Sequence, residues 1–339
     1  MLALALGGCH EPKGSDGGAC DTPPTARRAI YHWRTTFAPN AYERTFLRRH
    51  GVGRLYVHMF DVTEDYDGKS EEYVVQPEAT TRFDASVDSL DVVPVAFITL
   101  EALQRMGGDV ERYAELITRR LQAMTRYNFG CEAREVQFDC DWTSSTRGIF
   151  DRLCANARKI LHADSATLSI TVRLHQLHEP APSADRGVLM LYNTGAIRCF
   201  DTHNSILSLG DVLPYLRRRV RYDLSLAVAL PVFGWGVCFS DGNFQRLTRR
   251  DDYADRTLFA RESENTYRVL RTEWGDDEYY FEDEIVRLER PTARDVLAAK
   301  RLVEKNVSPL SGEIILYHLD EKQLSHYEEN DIEEIYARP

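Results

Sequence analysis

Glu135-Val136-Gln137-Phe138-Asp139-Cys140-Asp141-Trp142-Thr143 is the stretch on which the reading of the chain turns. In an extended strand, successive side chains point to opposite faces. Gln137, Asp139, Asp141 and Thr143 then share one face, and Val136, Phe138, Cys140 and Trp142 share the other. The apolar set is expected against surrounding helices, which makes Trp142 a core residue. The polar set is expected to rise inside a barrel toward its C-terminal mouth. Two carboxylates at i and i+2 on one face repel each other, which raises the pKa of one of them. That arrangement suits acid–base work or the orientation of a reacting group.

Working outward, short β-rich runs recur at 29–33, 53–59, 91–98, 134–142, 167–174, 188–193, 223–230 and 312–318. Amphipathic segments lie between several of them. In 109–126, Val110, Tyr113, Ile117, Leu121 and Met124 follow helical spacing behind Asp109 as N-cap. Segment 146–162 repeats the pattern, and 292–305 opens with Thr292 and Asp295 placed as a capping box. Strands alternating with helices imply parallel βα units, and eight of them in this length imply an α/β fold, a single (β/α)8 TIM barrel. An open doubly wound sheet is the alternative. No strand runs into a GxGxxG or GxxxxGK[ST] loop, which argues against it. Residues 61–90 are polar and read as a long loop after strand two. Residues 237–290, rich in charge and aromatics, read as a long insertion after strand seven, forming a hairpin or small subdomain. Residues 320–339 read as a terminal helix and tail.

Composition narrows the function classes. Of 339 residues, 43% are hydrophobic and 28% charged, with a net charge of −11. A dedicated nucleic-acid binder would be basic, so that class is set aside. Residues 1–8 read as the remnant of a lipoprotein signal peptide, because an apolar run closes on Leu6-Gly7-Gly8-Cys9, which is similar to a bacterial lipobox. No basic region precedes the run, so a true start upstream of Met1 is expected. Cys9 is the expected lipidation site, and 9–28 the flexible tether before a barrel spanning 29–339. The chain is then a lipid-anchored protein of the bacterial cell envelope. Among the other cysteines, Cys140 with Cys154 and Cys199 with Cys238 are candidate disulfides, against buried free thiols.

Three stretches together resemble the chitinase family of glycoside hydrolases. Asp139-Cys140-Asp141-Trp142-Thr143 is similar to the end of that family's DxDWE strand. Met190-Leu191-Tyr192-Asn193 is similar to its strand-six Met-x-Tyr-Asp/Asn. Leu226 to Gly236, which contains Pro231-Val232-Phe233-Gly234, is similar to its strand-seven segment ending in Pro-Phe-Tyr-Gly. The resemblance covers about a third of the chain. It implies that Asp141 orients a substrate acetamido group, that Asp139 tunes Asp141, and that Tyr192 hydrogen-bonds the acetamido oxygen. The departure is Thr143, which stands where the family has its acidic Glu. Threonine cannot protonate a glycosidic oxygen at neutral pH, and a retaining glycosidase needs such an acid. The pattern also resembles uncharacterised bacterial barrel proteins that lack the same Glu.

The expected function is therefore carbohydrate binding at the mouth, with hydrolysis left open. Trp33, Gln137, Thr143, Arg173, Asn193, Trp235 and Tyr317 are the candidate ligand contacts. Aromatic rings pack on the apolar faces of sugars, and planar polar groups meet their hydroxyls. Three rivals remain. The first is an active hydrolase that takes its acid from Glu101 or Asp61, with His58 and His175 also near strand ends. The second is a metal-dependent hydrolase or deacetylase built on His175, His178, Glu179, Asp201 and His203. The third is a surface interaction module using 237–290. No cofactor and no resident metal are expected, and a GxSxG elbow is missing.

Overall fold

The computed structural model describes residues 28–69, 71–86, 90–275 and 278–337. The lipobox, Cys9 and nearly all of the tether lie outside the described residues. Eight parallel strands close into a barrel: β1 (Arg28–His32), β2 (Arg54–Asp67), β3 (Asp91–Ile98), β4 (Glu135–Asp139), β5 (Thr167–Val172), β6 (Arg186–Met190), β7 (Val220–Pro231) and β8 (Val307–Tyr317). The ring shuts because β1 pairs with both β2 and β8, with Ile30 in register with Leu55 on one side and Leu316 on the other. The (β/α)8-type barrel read from the sequence is thus present.

The longer helices that flank it are α1 (Ala41–Arg49), α2 (Val110–Phe129), α3 (Arg147–Ala163) and α4 (Ala293–Asn306). Val110, Ala114, Ile117 and Leu121 are buried at three- and four-residue spacing, so α2 lays one apolar stripe on the barrel. It ends at Gly130, whose φ of 67° is the left-handed conformation that closes helices. In α4 the Thr292–Asp295 capping box forms as its spacing predicts. Asp109 occupies the N-cap of α2, but its side chain makes no capping bond.

The helical layer is incomplete. The loop expected at 61–90 contains strand at 61–67 and 72–78. β2 runs on past the barrel to Asp67 and turns back through Glu72–Glu78 as an antiparallel hairpin. Cross-strand pairs hold it, notably Tyr66 edge-on to Tyr73 at 5.4 Å. The crossover from β5 to β6 is a single 3-10 turn at Leu174–His178, and that from β6 to β7 contains only the short helix Leu209–Val212. After β7 the chain builds a five-stranded antiparallel sheet between Trp235 and Glu289, with its own core around Phe259, Val286 and Leu258. No helix among the described residues is long and apolar enough to cross a membrane.

Inside the barrel, the N-terminal end is plugged by charge. Glu135 on β4 accepts from Arg54 on β2 at 2.8 Å and from Arg186 on β6 at 3.2 Å. Glu313 on β8 accepts from the Tyr56 hydroxyl at 3.0 Å and also pairs with Arg186. All five side chains are buried or nearly so. Hydrogen bonds from several sides satisfy these charges, the condition under which ions tolerate an interior.

His32, the last residue of β1, is buried behind the barrel wall against Phe37. Neither ring nitrogen has a hydrogen-bond partner among the described residues. Burial first, then the neighbouring Arg34 and His318, push its pKa down to about 3. Burial likewise takes His318 down to about 4. The unfolded chain binds protons at these positions below pH ~6.5 while the folded chain refuses them. Stability is therefore complete above pH ~6.5 and declines as pH falls toward these lower values. Each histidine is expected to remove roughly 2 kcal/mol by pH 5. Urea unfolding at pH 7 and pH 5 checks this, with His32→Phe flattening the acid limb. An acid limb unchanged by His32→Phe would show that other groups govern it.

Candidate functional site

The ladder of β4 ends at Asp139, earlier than the strand read from the sequence, and the chain then turns toward α3. The two aspartates therefore part company. Asp139 is buried, whereas Asp141 is half-exposed at the rim. Thr171 on β5 donates its hydroxyl to Asp139 at 2.6 Å. Burial pushes the Asp139 carboxyl up, against the pull of Arg173 and of the Thr171 hydroxyl.

Arg173 sits where β5 gives way to the 3-10 turn. Its Nε bonds Asp141, and its Nη2 lies 3.9 Å from Asp139. The turn is fixed by Gln176, which accepts from the Arg173 backbone N–H at 2.8 Å and donates to the Trp142 carbonyl at 2.8 Å. Gln176 thus stitches the end of β5 to the end of β4. It and Thr171 escaped the sequence reading. Thr171 stands in an obvious strand on the same parity as Ser169, and that parity was the available signal. Nothing distinguished Gln176.

Trp142 is buried and stacks on Phe150 of α3 with centroids 6.4 Å apart, as its parity predicts. Thr143 is exposed. Its hydroxyl contacts Ser145 at 2.8 Å, in the turn that starts α3. Gln137 belongs to a lower layer than expected of a ligand contact. It is fully buried, accepts from the Tyr31 hydroxyl at 2.6 Å and faces Ser169 at 3.4 Å. Strand rise explains this correction: two residues below Asp139, it lies beneath the floor of the mouth.

Tyr192 and Asn193 follow β6. Asn193 adopts φ 54°, a left-handed backbone that Asn tolerates. The buried Tyr192 hydroxyl has no hydrogen-bond partner among the described residues. Asp141, Thr143, Arg173, His175, Tyr192 and Asn193 line one cavity of ≈ 330 Å³. The aromatic candidates form a connected array at the same end of the barrel. Tyr317 lies 4.6 Å from Tyr192, 5.3 Å from Phe233 and 5.9 Å from Trp33. Phe233 in turn lies 5.3 Å from Trp235. Trp235 donates its indole N–H to Glu289 at 2.8 Å. Ser205 and Arg287 also bond Glu289, at 2.5 and 2.7 Å. That buried junction ties the base of the insertion to the loop after β6.

The rival sites fare differently. The Asp61 carboxylate is engaged by His58 at 2.7 Å. Glu101 lies exposed in the first turn of the helix Leu100–Met106. His178 bonds the Tyr215 carbonyl at 3.0 Å, and Glu179 accepts from Ser144 at 3.0 Å. Among the described residues no group of three or more His, Cys, Asp or Glu side chains is arranged to hold a metal ion. Cys140, Cys154, Cys199 and Cys238 are free thiols, so neither candidate disulfide forms.

No protein-family model matches the sequence, and no curated protein matches it. Solved structures do. The spore cortex-lytic enzyme SleL of Bacillus cereus matches 92% of this chain over 74% of its own, with a TM-score of 0.51 and 14% identity. The GH18 chitinase ChiB of Flavobacterium johnsoniae matches 92% over 94%, at TM-score 0.51 and 12% identity. The fold is that of the chitinase-like glycoside hydrolase barrels. A chitinase-like agglutinin of Robinia pseudoacacia matches 91% over 99%, at TM-score 0.50 and 11% identity. At such identities the likeness is one of fold. Activity must be argued from the mouth of this chitinase-like barrel itself.

Proposed function

We propose that this chitinase-like barrel binds carbohydrate at its mouth without hydrolysing it, and that Cys9 anchors it to a bacterial membrane through a lipid. One observation carries the binding: the enclosed Tyr192 hydroxyl is unpartnered among the described residues, and Tyr192 lines one cavity with Asp141 and Asn193. A buried donor without a partner is costly, and a ligand acceptor relieves that cost. Aromatic side chains at the barrel end add faces for pyranose rings.

The absence of turnover follows from chemistry at two positions. Thr143 supplies no proton at neutral pH, and its hydroxyl is taken up in the turn before α3. Arg173 pairs with Asp141 and fixes the direction of its carboxylate. An agglutinin on the same fold is a relative of the kind this reading expects. The anchor rests on Leu6-Gly7-Gly8-Cys9 alone.

Incubating residues 29–339 with a broad panel of oligosaccharides tests the reading. Retention without new reducing ends, scored by mass spectrometry, is expected. New reducing ends would overturn the loss of turnover, and no retention of any glycan would overturn the binding. Acyl-chain labelling of the full chain in a bacterial host, compared with Cys9→Ala, tests the anchor.

A further inference from the structure

A cavity larger than the one at the mouth lies elsewhere on the molecule. It measures ≈ 870 Å³ and shares no lining residue with the mouth cavity. Its walls come from the insertion and from the short helix Glu321–Leu324 that follows β8. Beside it, a two-stranded ribbon pairs Trp274 with Tyr279, and Tyr279 lines the cavity. Trp274 is 70% exposed, and Tyr279 and Phe281 are also exposed. Exposed tryptophan on a charged surface is unusual enough to need a reason.

These rings are held in place. Trp274 stacks on Tyr279 with centroids 5.6 Å apart and planes 25° apart, and Phe281 stands edge-on to Trp274 at 5.4 Å. Beneath Tyr279, the Arg246 guanidinium lies 4.2 Å from the ring centroid. Arg246 is itself clamped by both oxygens of buried Glu284, at 2.6 and 2.7 Å. The result is a pre-set aromatic surface that loses little freedom on binding. Inside the cavity, planar groups of both signs face one another. Arg250 lies 3.7 Å from Glu273. The Arg249 side chain, by contrast, makes no hydrogen bond or ion pair among the described residues. The lining holds Arg246, Arg249, Arg250 and Lys322 against Glu273 and Glu278, but Glu284 and Asp251 just outside it pair with Arg246 and Lys322, which leaves little net field to select an ion. Planar donors and acceptors beside a fixed aromatic face instead match a ring with an apolar C–H side and equatorial hydroxyls.

We propose that the insertion carries a second saccharide-binding site, on which a pyranose stacks over Trp274 and offers its hydroxyls to Arg249 in the cavity beside Tyr279. The ligand class rests on the carbohydrate reading of the mouth, but the site is physically separate.

Site-resolved footprinting tests it. The protein is exposed to hydroxyl radicals with and without hexasaccharides of N-acetylglucosamine, glucose or xylose, and oxidation of each tryptophan is read by peptide mass spectrometry. Trp274 is expected to be oxidised freely alone and protected roughly ten-fold by at least one hexasaccharide, the scale of one good stacking contact. That protection should persist in Asp141→Ala and should weaken in Arg249→Ala. Unchanged oxidation of Trp274 with all three probes overturns the second site, while protection of Trp33 or Trp235 in the same sample would leave the mouth reading standing. Protection of Trp274 alone would do the reverse.

Discussion

Asp141→Ala is expected to reduce glycan affinity at the mouth by roughly ten- to one-hundred-fold while leaving the thermal midpoint unchanged. The side chain is half-exposed, so its removal opens no core cavity. Its loss deprives the ligand of a charge-assisted acceptor, which is worth roughly 1.5–3 kcal/mol. It also frees Arg173 to swing across the cavity. Asp141→Asn separates these effects, because the amide keeps the shape and can still accept a hydrogen bond, but without charge. Equilibrium titration with whichever oligosaccharide the panel identifies is the measurement. Wild-type affinity in Asp141→Ala would remove the mouth from consideration.

The second large effect lies at the opposite end of the barrel. Glu135→Ala is expected to cost about 3–5 kcal/mol, because it takes a shared carboxylate from two buried arginines and leaves their charge under-compensated. Arg54 would keep Asp91 at 2.6 Å and Glu313 at 3.6 Å, but Arg186 would keep only Glu313. For a domain of this size that cost corresponds to a fall of roughly 5–8 °C in Tm. The double variant Glu135→Met/Arg54→Met should cost less than the two single changes together, because the members of a buried ion pair are coupled. A loss below about 1 kcal/mol for Glu135→Ala would mean that the plug is hydrated and contributes little.

Much of the barrel was legible because its rules are local. Period-two strands and period-3.6 helices survive translation into one dimension, and the Thr292–Asp295 cap is a spacing that can be read directly. The hairpin after β2 was not legible. Its strands carry Glu64, Asp65, Glu72 and Gln76 among the aromatics, so the alternation of Tyr66, Tyr73 and Val75 was diluted by polar neighbours. The pairing that makes it a strand is a cross-strand contact, which composition does not show. The site was legible in its residues but not in its depth. Parity places Gln137, Asp139 and Asp141 on one face. It cannot say that the ladder stops at Asp139, which buries the first, encloses the second and exposes the third. The charged plug was missed for a similar reason. Arg54, Glu135, Arg186 and Glu313 lie on four strands far apart in sequence, and only closure of the barrel brings them together.

The buried junction at Glu289 has a mechanical consequence. Ser205, Trp235 and Arg287 all bond its carboxylate, and Arg287 also holds the carbonyls of Cys199 and Phe200 at 2.8 Å. A hinge needs slack, and this joint has none. The insertion is therefore welded to the barrel, and any two features on them stand at a fixed spacing. For a chain ligand, such a pair of contacts acts as a ruler. Oligomers too short to span the gap bind with single-site strength, while those that reach it gain from an effective local concentration. The length at which affinity steps upward would then be set by this weld.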